Sequence, residues 1–258
     1  MQRASYAATI ESSEALATLS ADPMRTGIFV DFDGTLSAIV DHPEEARLVD
    51  GAREVLEDLA KTFAVVAVVS GRALEDLRTR VKARGVLHAG AYGRERSDQT
   101  MRRRTEGWET VAFAARAAVS RLPGVVLERK GAGIALHHRG APELRDQVEA
   151  IARTLADEYS LDVKPGRMVF ELVVPGPGKG DAIAALIDQR GIDRALVAGD
   201  DWGDLEGFVA LRASGVDAVI VAVASDEAPP GLTDPADIVV SGPSQLVDLL
   251  ARLADAAR

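Results

Sequence analysis

Residues 63–69 read Phe-Ala-Val-Val-Ala-Val-Val and stop at Ser70-Gly71. A short, wholly apolar run bounded by turn residues is a strand buried on both faces. Similar runs recur at 27–32, 86–89, 195–199, 218–223 and 237–240. Helical stretches lie among them. Residues 51–61 place Ala52, Val55, Leu56, Leu59 and Ala60 at i, i+3, i+4, i+7 and i+8, one face of an amphipathic helix. Residues 73–83, 180–190 and 244–256 also read as helices. Apolar strands alternating with helices predict an α/β fold, a parallel sheet covered on both faces.

The middle of the chain breaks this rhythm. From about 98 to 174 the order reads helix 108–122, strands 125–129 and 132–138, helix 142–159, strands 161–164 and 167–174. Helices alternating with paired strands predict a small α+β module on an antiparallel sheet. Lys130-Gly131 and Pro165-Gly166 supply the expected hairpin turns. Pro175, Gly176, Pro177, Gly178 and Gly180 read as the return linker. The expected organisation is a discontinuous core, 1–97 and 175–258, interrupted by a cap at 98–174.

Bulk properties narrow the partners. The 258 residues suffice for one large domain or two small ones. A net charge of -10 argues against non-specific binding to nucleic acid or an anionic membrane. No apolar run reaches the roughly 18 residues a bilayer span needs. There is no cysteine, hence no disulfide and no thiolate metal site, which fits a cytoplasmic location. Residues 1–23 lack a long apolar stretch and do not read as a signal peptide. Ile10, Leu16 and Leu19 allow a short helix docked on the core. The arginines at 102, 103 and 104 read as solvated surface.

The chemistry concentrates at strand ends. The first strand runs into Asp31-Phe32-Asp33-Gly34-Thr35. Residues i and i+2 of a strand point to the same side, so two carboxylates are expected to emerge together at the carboxyl end of a parallel strand, where open α/β sheets bind ligands. Two adjacent anions repel unless a cation sits nearby, and a hard, oxygen-seeking Mg²⁺ answers that. The N–H groups of Gly34 and Thr35 can face a phosphate oxygen. One carboxylate can attack phosphorus, and the other can protonate the leaving oxygen and then deprotonate water. Ser70 and Gly71 close a neighbouring strand and suit a phosphate oxygen. Lys179 precedes a helix expected to start near Gly180 and can neutralise both phosphate and nucleophile. Asp200, Asp201 and Asp204 follow a further strand and complete a carboxylate cage.

These four segments, in this order, resemble the haloacid dehalogenase superfamily of phosphatases. The resemblance implies a Rossmann-like parallel-sheet core with an inserted α+β cap. It implies Asp31 as nucleophile, Asp33 as general acid and base, and Lys179 as a catalytic and phosphate-binding cation, with Gly34, Thr35, Ser70 and Gly71 around the phosphate. Mg²⁺ would be held by the Asp31 side chain, the Asp33 carbonyl and Asp200, with Asp201 and Asp204 as outer or alternative ligands. A narrower resemblance is to the trehalose-6-phosphate phosphatases. It rests on Asp31-Phe-Asp-Gly-Thr-Leu-Ser-Ala-Ile-Val, on Val69-Ser70-Gly71-Arg72, on Glu128-Arg129-Lys130-Gly131 with His137-His138-Arg139, and on Gly166-Arg167-Met168-Val169-Phe170-Glu171-Leu172. It implies that Glu128, Lys130 and Glu171 bind the distal glucose, with Arg72 also on the substrate. At most one of His137 and His138 can face that site. The family's Arg-Pro after the cap glutamate is Val173-Val174-Pro175 here, its Asp-Lys-Gly is Gly178-Lys179-Gly180, and its Thr-Asp-Glu is Gly203-Asp204-Leu205. The expected activity is hydrolysis of trehalose 6-phosphate, with a functional link to a trehalose-6-phosphate synthase. The alternatives are another sugar phosphate, such as a glucosylglycerate phosphate, or a non-catalytic sensor.

Overall fold

The computed structural model describes residues 13–40, 42–99, 107–130, 133–166, 168–176 and 178–258; the side chain of Lys130 and the arginines at 102–104 lie outside the described residues. The chain divides into two compact units, Met1–Gln99 with Gly178–Arg258, and Thr100–Pro177.

The first unit is built on a seven-stranded sheet. Helix α1 (residues 13–20) precedes β1 (Thr26–Val30), α2 (Ala52–Thr62), β2 (Val65–Val69), α3 (Leu74–Val81), β3 (Leu87–Gly90) and β4 (Glu95–Arg96). The order across the sheet places β4, β3 and β2 on one side of β1. Only the two-residue β4 runs antiparallel. Successive side chains of a strand face opposite ways, and both faces here meet helices. Ile28 and Val30 of β1 pack with Leu16 and Leu19 of α1, Leu56 and Leu59 of α2, and Leu77 of α3. Phe29 points into a second cluster on the other face with Val65, Ala67 and Val69. Burial on both faces is why these strands carry no polar alternation. The expected docking of the N-terminal helix is realised through Leu16 and Leu19, while Ile10 lies outside the described residues.

The second unit holds α4 (Trp108–Val119), β5 (Val126–Lys130), β6 (Gly133–His137), α5 (Arg145–Tyr159), β7 (Asp162–Gly166) and β8 (Val169–Val173). Its strands form an antiparallel sheet in the order β5-β6-β8-β7. Ile134, Leu136, Phe170 and Leu172 meet the apolar sides of α4 and α5. The alternate residues occupy the opposite face. One expected turn is corrected. Pro165 and Gly166 are not the reversal; they continue β7 and pair with Phe170 and Val169, and Met168 takes a positive φ of 50°. β7 is an edge strand, where proline's missing N–H costs no ladder bond.

The chain then returns to the first sheet through α6 (Lys179–Arg190), β9 (Arg194–Gly199), α7 (Trp202–Ser214), β10 (Asp217–Val223), β11 (Ile238–Val240) and α8 (Pro243–Ala256). β9 lies against β1, followed by β10 and β11. Helix α7 is absent from the sequence expectation. Its large apolar residues fall on both its buried side, with Phe208 and Leu211, and its exposed side, with Trp202 and Val209, so they mark no single face, and Gly203 and Gly207 are disfavoured in a helix.

Candidate active site

β1 is the central strand, and the chain steps from it to β2 on one side and lies against β9 on the other. This is a topological switch point, where strand ends splay and leave a crevice. The strand proper stops at Val30, and the Asp31 amide still bonds the Ala198 carbonyl at 3.0 Å. Beyond it the chain turns sharply, with Gly34 at φ 81°. The two aspartates therefore do not emerge as i, i+2 neighbours of one strand. Asp31 is buried, whereas the Asp33 carboxylate is 47% exposed and lies on Arg72. The turn also consumes its own amides. Gly34 N–H donates to Ser37 O at 2.8 Å and Thr35 N–H to Phe32 O at 3.4 Å. Thr35 acts instead through its buried hydroxyl, which donates to Asp200 across 165 residues of sequence.

Lys179 is the first helical residue of α6, rather than a residue ahead of it. Its ammonium is 2.9 Å from Asp31 Oδ1, 3.1 Å from Asp204 Oδ1 and 3.2 Å from Asp201 Oδ2. Two local features bring these groups together. Asp201 caps α7 by accepting the Asp204 N–H at 2.9 Å, while Asp204 Oδ2 accepts the N–H groups of Asp200 and Asp201. Gly180 of α6 also crosses Gly207 of α7 so closely that a Cβ on Gly180 would stand 2.8 Å from the Gly207 Cα. At Gly199 a Cβ would stand 2.1 Å from the Asp204 carboxyl carbon, so only glycine leaves that carboxylate its place.

The electrostatics follow from burial. Three carboxylates surround one ammonium. Burial raises the Asp31 carboxyl well above its ordinary value, against the opposing pull of Lys179. Asp204 is raised too, by burial and then by the Asp201 charge. Burial alone would lower Lys179, but the charges of Asp201, Asp204 and Asp31 outweigh it and hold the ammonium protonated. Asp31, Asp200 and Asp204 each offer a carboxylate oxygen within 4.8 Å of the others, all three buried. Clustered hard oxygen donors short of positive charge fit a hard divalent cation. Asp201, expected as an outer or alternative ligand, is not in this trio and is engaged by Lys179, while the carboxylate of Asp33, whose backbone carbonyl is the expected ligand, lies on Arg72.

Ser70 and Gly71 close β2 beside this cluster. Ser70 is buried, and its Oγ accepts the Arg72 N–H at 3.2 Å. The loop is fastened from β3: Ala91 N–H donates to Arg72 O at 2.7 Å and Tyr92 N–H to Ser70 O at 2.9 Å. Ala91 and Tyr92 both take left-handed backbone, φ 48° and 60°, a strained pair in non-glycine residues. The Tyr92 ring lies against Gly71, where a Cβ would stand 2.9 Å from it. Nothing in the local pattern of Gly90-Ala91-Tyr92-Gly93 announced this support.

In the second unit the register sets Glu128 opposite Ala135, Ala135 opposite Glu171, and Glu171 opposite Lys164. Glu128, Glu171 and His137 therefore share the sheet face turned away from α4 and α5; the side chain of Lys130 lies outside the described residues. His137 Nε2 is 2.8 Å from Glu128 Oε2. His138 has left this face and stacks on Phe170, ring centroids 5.6 Å apart.

Comparison with known proteins adds a family. The family model described as trehalose-phosphatase matches residues 29–231. The chain is 34% identical over 221 residues to the trehalose-phosphate phosphatase of Mycobacterium leprae, covering 78% of this chain and 51% of that protein. It is 36% identical over 213 residues to an uncharacterized glycosyl hydrolase of Mycobacterium tuberculosis, covering 76% of this chain and 16% of that protein. The C-terminal domain of Candida albicans trehalose-6-phosphate phosphatase shares the fold, with a TM-score of 0.79 at 21% identity, covering 94% of this chain and 96% of that one. The chain thus spans about half the length of the Mycobacterium leprae protein and a much smaller part of the Mycobacterium tuberculosis one.

Proposed function

Because the chain belongs to the trehalose-phosphatase family, we propose that it hydrolyses trehalose 6-phosphate to trehalose and phosphate through a phosphorylated Asp31. The observation that carries this reading is the buried Asp31 carboxylate, 2.9 Å from the Lys179 ammonium at the carboxyl end of the central strand. A nucleophilic oxygen there attacks phosphorus, and the bond to the sugar oxygen breaks. The Asp33 carboxyl gives its proton to that oxygen. A water then attacks phosphorus, Asp33 takes its proton, and the Asp31–phosphorus bond opens. Lys179 offsets the charge of both nucleophile and phosphate without moving. Ser70 and Gly71, held by the Ala91–Tyr92 turn, face the phosphate oxygens.

Asp31, Asp200 and Asp204 are the residues that would hold Mg²⁺, with Thr35 orienting Asp200. When bound, the ion lowers the repulsion between carboxylate and phosphate that opposes the first step. Glu128, Lys130 and Glu171 are assigned to the hydroxyls of the distal glucose. Glu128 and Glu171 stand in one cross-strand row, and carboxylates suit vicinal hydroxyls. This activity consumes the product of a trehalose-6-phosphate synthase, which is the link expected with such an enzyme.

The test is phosphate release with Mg²⁺ from trehalose 6-phosphate, glucose 6-phosphate, sucrose 6-phosphate, glucosylglycerate phosphate and an aryl phosphate. Preference for trehalose 6-phosphate, abolished by a chelator and by Asp31→Asn, is the expected result. Preference for another sugar phosphate overturns the substrate assignment, and no release from any of them overturns the reaction.

A further inference from the structure

Arg72 is expected from its motif to meet substrate, yet its guanidinium is committed elsewhere. Nε donates to Asp33 Oδ2 and Nη2 to Asp33 Oδ1, both at 2.7 Å, a two-point grip on one carboxylate. Nη1 donates to Asp76 Oδ2 at 2.8 Å, and Nη2 also to the Pro43 carbonyl at 2.8 Å. Four donor contacts thus leave little of the group for a sugar. The guanidinium carbon lies 5.4 Å from the centre of the Phe32 ring, the residue between the two aspartates. The Arg72 side chain is 8% exposed.

The grip is itself braced. Asp76 sits one helical turn from Arg80, whose Nε donates to both of its oxygens at 2.8 and 2.9 Å. Arg80 in turn donates to the carbonyls of Glu44 and Ala46, at 3.0 and 2.9 Å. The chain Asp33–Arg72–Asp76–Arg80 therefore ties one carboxylate of the Asp31 turn to α3 and to the 43–46 segment. A carboxylate that is 47% exposed and carried on a turn would otherwise be free to rotate. A planar, two-point grip fixes both its position and the plane of its oxygens.

We propose that Arg72 is a positioning residue for this reaction: its hold on both oxygens fixes where the Asp33 carboxyl sits beside the Asp31 turn, and it does not bind the sugar. The proposal rests on the reading of Asp33 as proton donor given above. Proton donation matters most when the leaving group is a poor one, as a sugar alkoxide is, and least for a nitrophenolate. Loss of positioning therefore shows in the ratio of the two rates, and loss of fold or of phosphate binding does not.

The experiment compares Arg72→Lys, Asp76→Asn and Asp33→Asn with the full-length wild-type protein. Each is assayed on trehalose 6-phosphate and p-nitrophenyl phosphate with Mg²⁺. Arg72→Lys keeps the charge and loses the fork. It is expected to lower kcat on the sugar phosphate about 100-fold more than on the aryl phosphate, the scale of a 1 Å misplacement of a catalytic group. Its KM for the sugar phosphate should hold. Asp76→Asn, which loosens the brace and leaves Asp33 untouched, should show the same bias more weakly. Adding Arg72→Lys to Asp33→Asn should cost no further selective loss. Equal losses on both substrates in Arg72→Lys and Asp76→Asn overturn the proposal, as does a rise in KM with kcat kept, which returns Arg72 to sugar binding. If Asp33→Asn itself shows no leaving-group bias, the failure lies in the reading of Asp33 as the proton donor.

Discussion

Lys179 Nζ stands 2.9 Å from Asp31 Oδ1 with both side chains 3% exposed. A pair so buried survives only as a pair, because removing either partner strands a charge without solvent. Lys179→Met leaves Asp31, Asp201 and Asp204 facing one another. It is expected to lower stability by about 3–5 kcal/mol and to abolish phosphate release. Urea unfolding of the variant checks the first. A variant as stable as the wild type would show that these carboxylates take up protons at little cost.

The buried trio of Asp31, Asp200 and Asp204 predicts that Mg²⁺ stabilises the fold by binding the native state alone. The unfolding temperature should rise with Mg²⁺ concentration in the wild type. The rise should vanish in Asp200→Asn. Calorimetry without substrate measures this apart from activity, and an unfolding temperature indifferent to Mg²⁺ in the wild type would remove the trio from metal binding.

The crossing of Gly180 over Gly207 sets how near α6 brings Lys179 to Asp201 and Asp204. Gly180→Ala gains helix propensity but puts a methyl 2.8 Å from a backbone carbon that cannot yield without moving the helix. The overpacking is expected to cost about 1–3 kcal/mol and to lower kcat, since the ammonium moves with the helix end. Thermal unfolding and steady-state rates test this together. A stable variant with undiminished kcat would show that the crossing can relax without displacing Lys179.

His138 supplies the pH prediction. Burial, then the nearby charges of Arg145 and His137, lower its pKa below the ordinary 6.5. Its Nδ1 is buried with no hydrogen-bond partner among the described residues. The native state keeps the ring neutral while the unfolded chain protonates it. This contribution to stability is therefore complete above the unfolded value of 6.5 and is lost as pH falls from there through the lower native value. His138→Phe preserves the stack on Phe170 and removes the proton. The variant's unfolding temperature should fall less between pH 7 and 5 than the wild type's. Parallel falls would exclude His138 as the source.

Much of this architecture is legible in the sequence because burial leaves a periodic trace. Val65–Val69 is apolar throughout since helices cover both its faces, and Leu56 and Leu59 recur at helical spacing since one side of α2 meets the sheet. The ends of those strands can be read too, so Asp31, Ser70, Lys179 and Asp200 are found from turn chemistry and charge. Helix α7 escapes because its apolar residues lie on both its buried and its exposed side and two glycines interrupt it, and β4 because two residues have no period.

What the sequence by itself determined is which residues lie at the mouth of the sheet: the length of each apolar run and the turn residues that follow it decide where each strand ends, and those are local properties. Which partner each of them takes was decided by tertiary structure alone. Thr35 meets Asp200 because β1 and β9 are neighbours, Asp33 meets Arg72 because β2 flanks β1, and Lys179 reaches Asp201 and Asp204 because two glycines let α6 and α7 touch. A hydrogen bond or ion pair is fixed within a few tenths of an ångström, and only the packing of elements far apart in the chain sets distances that finely.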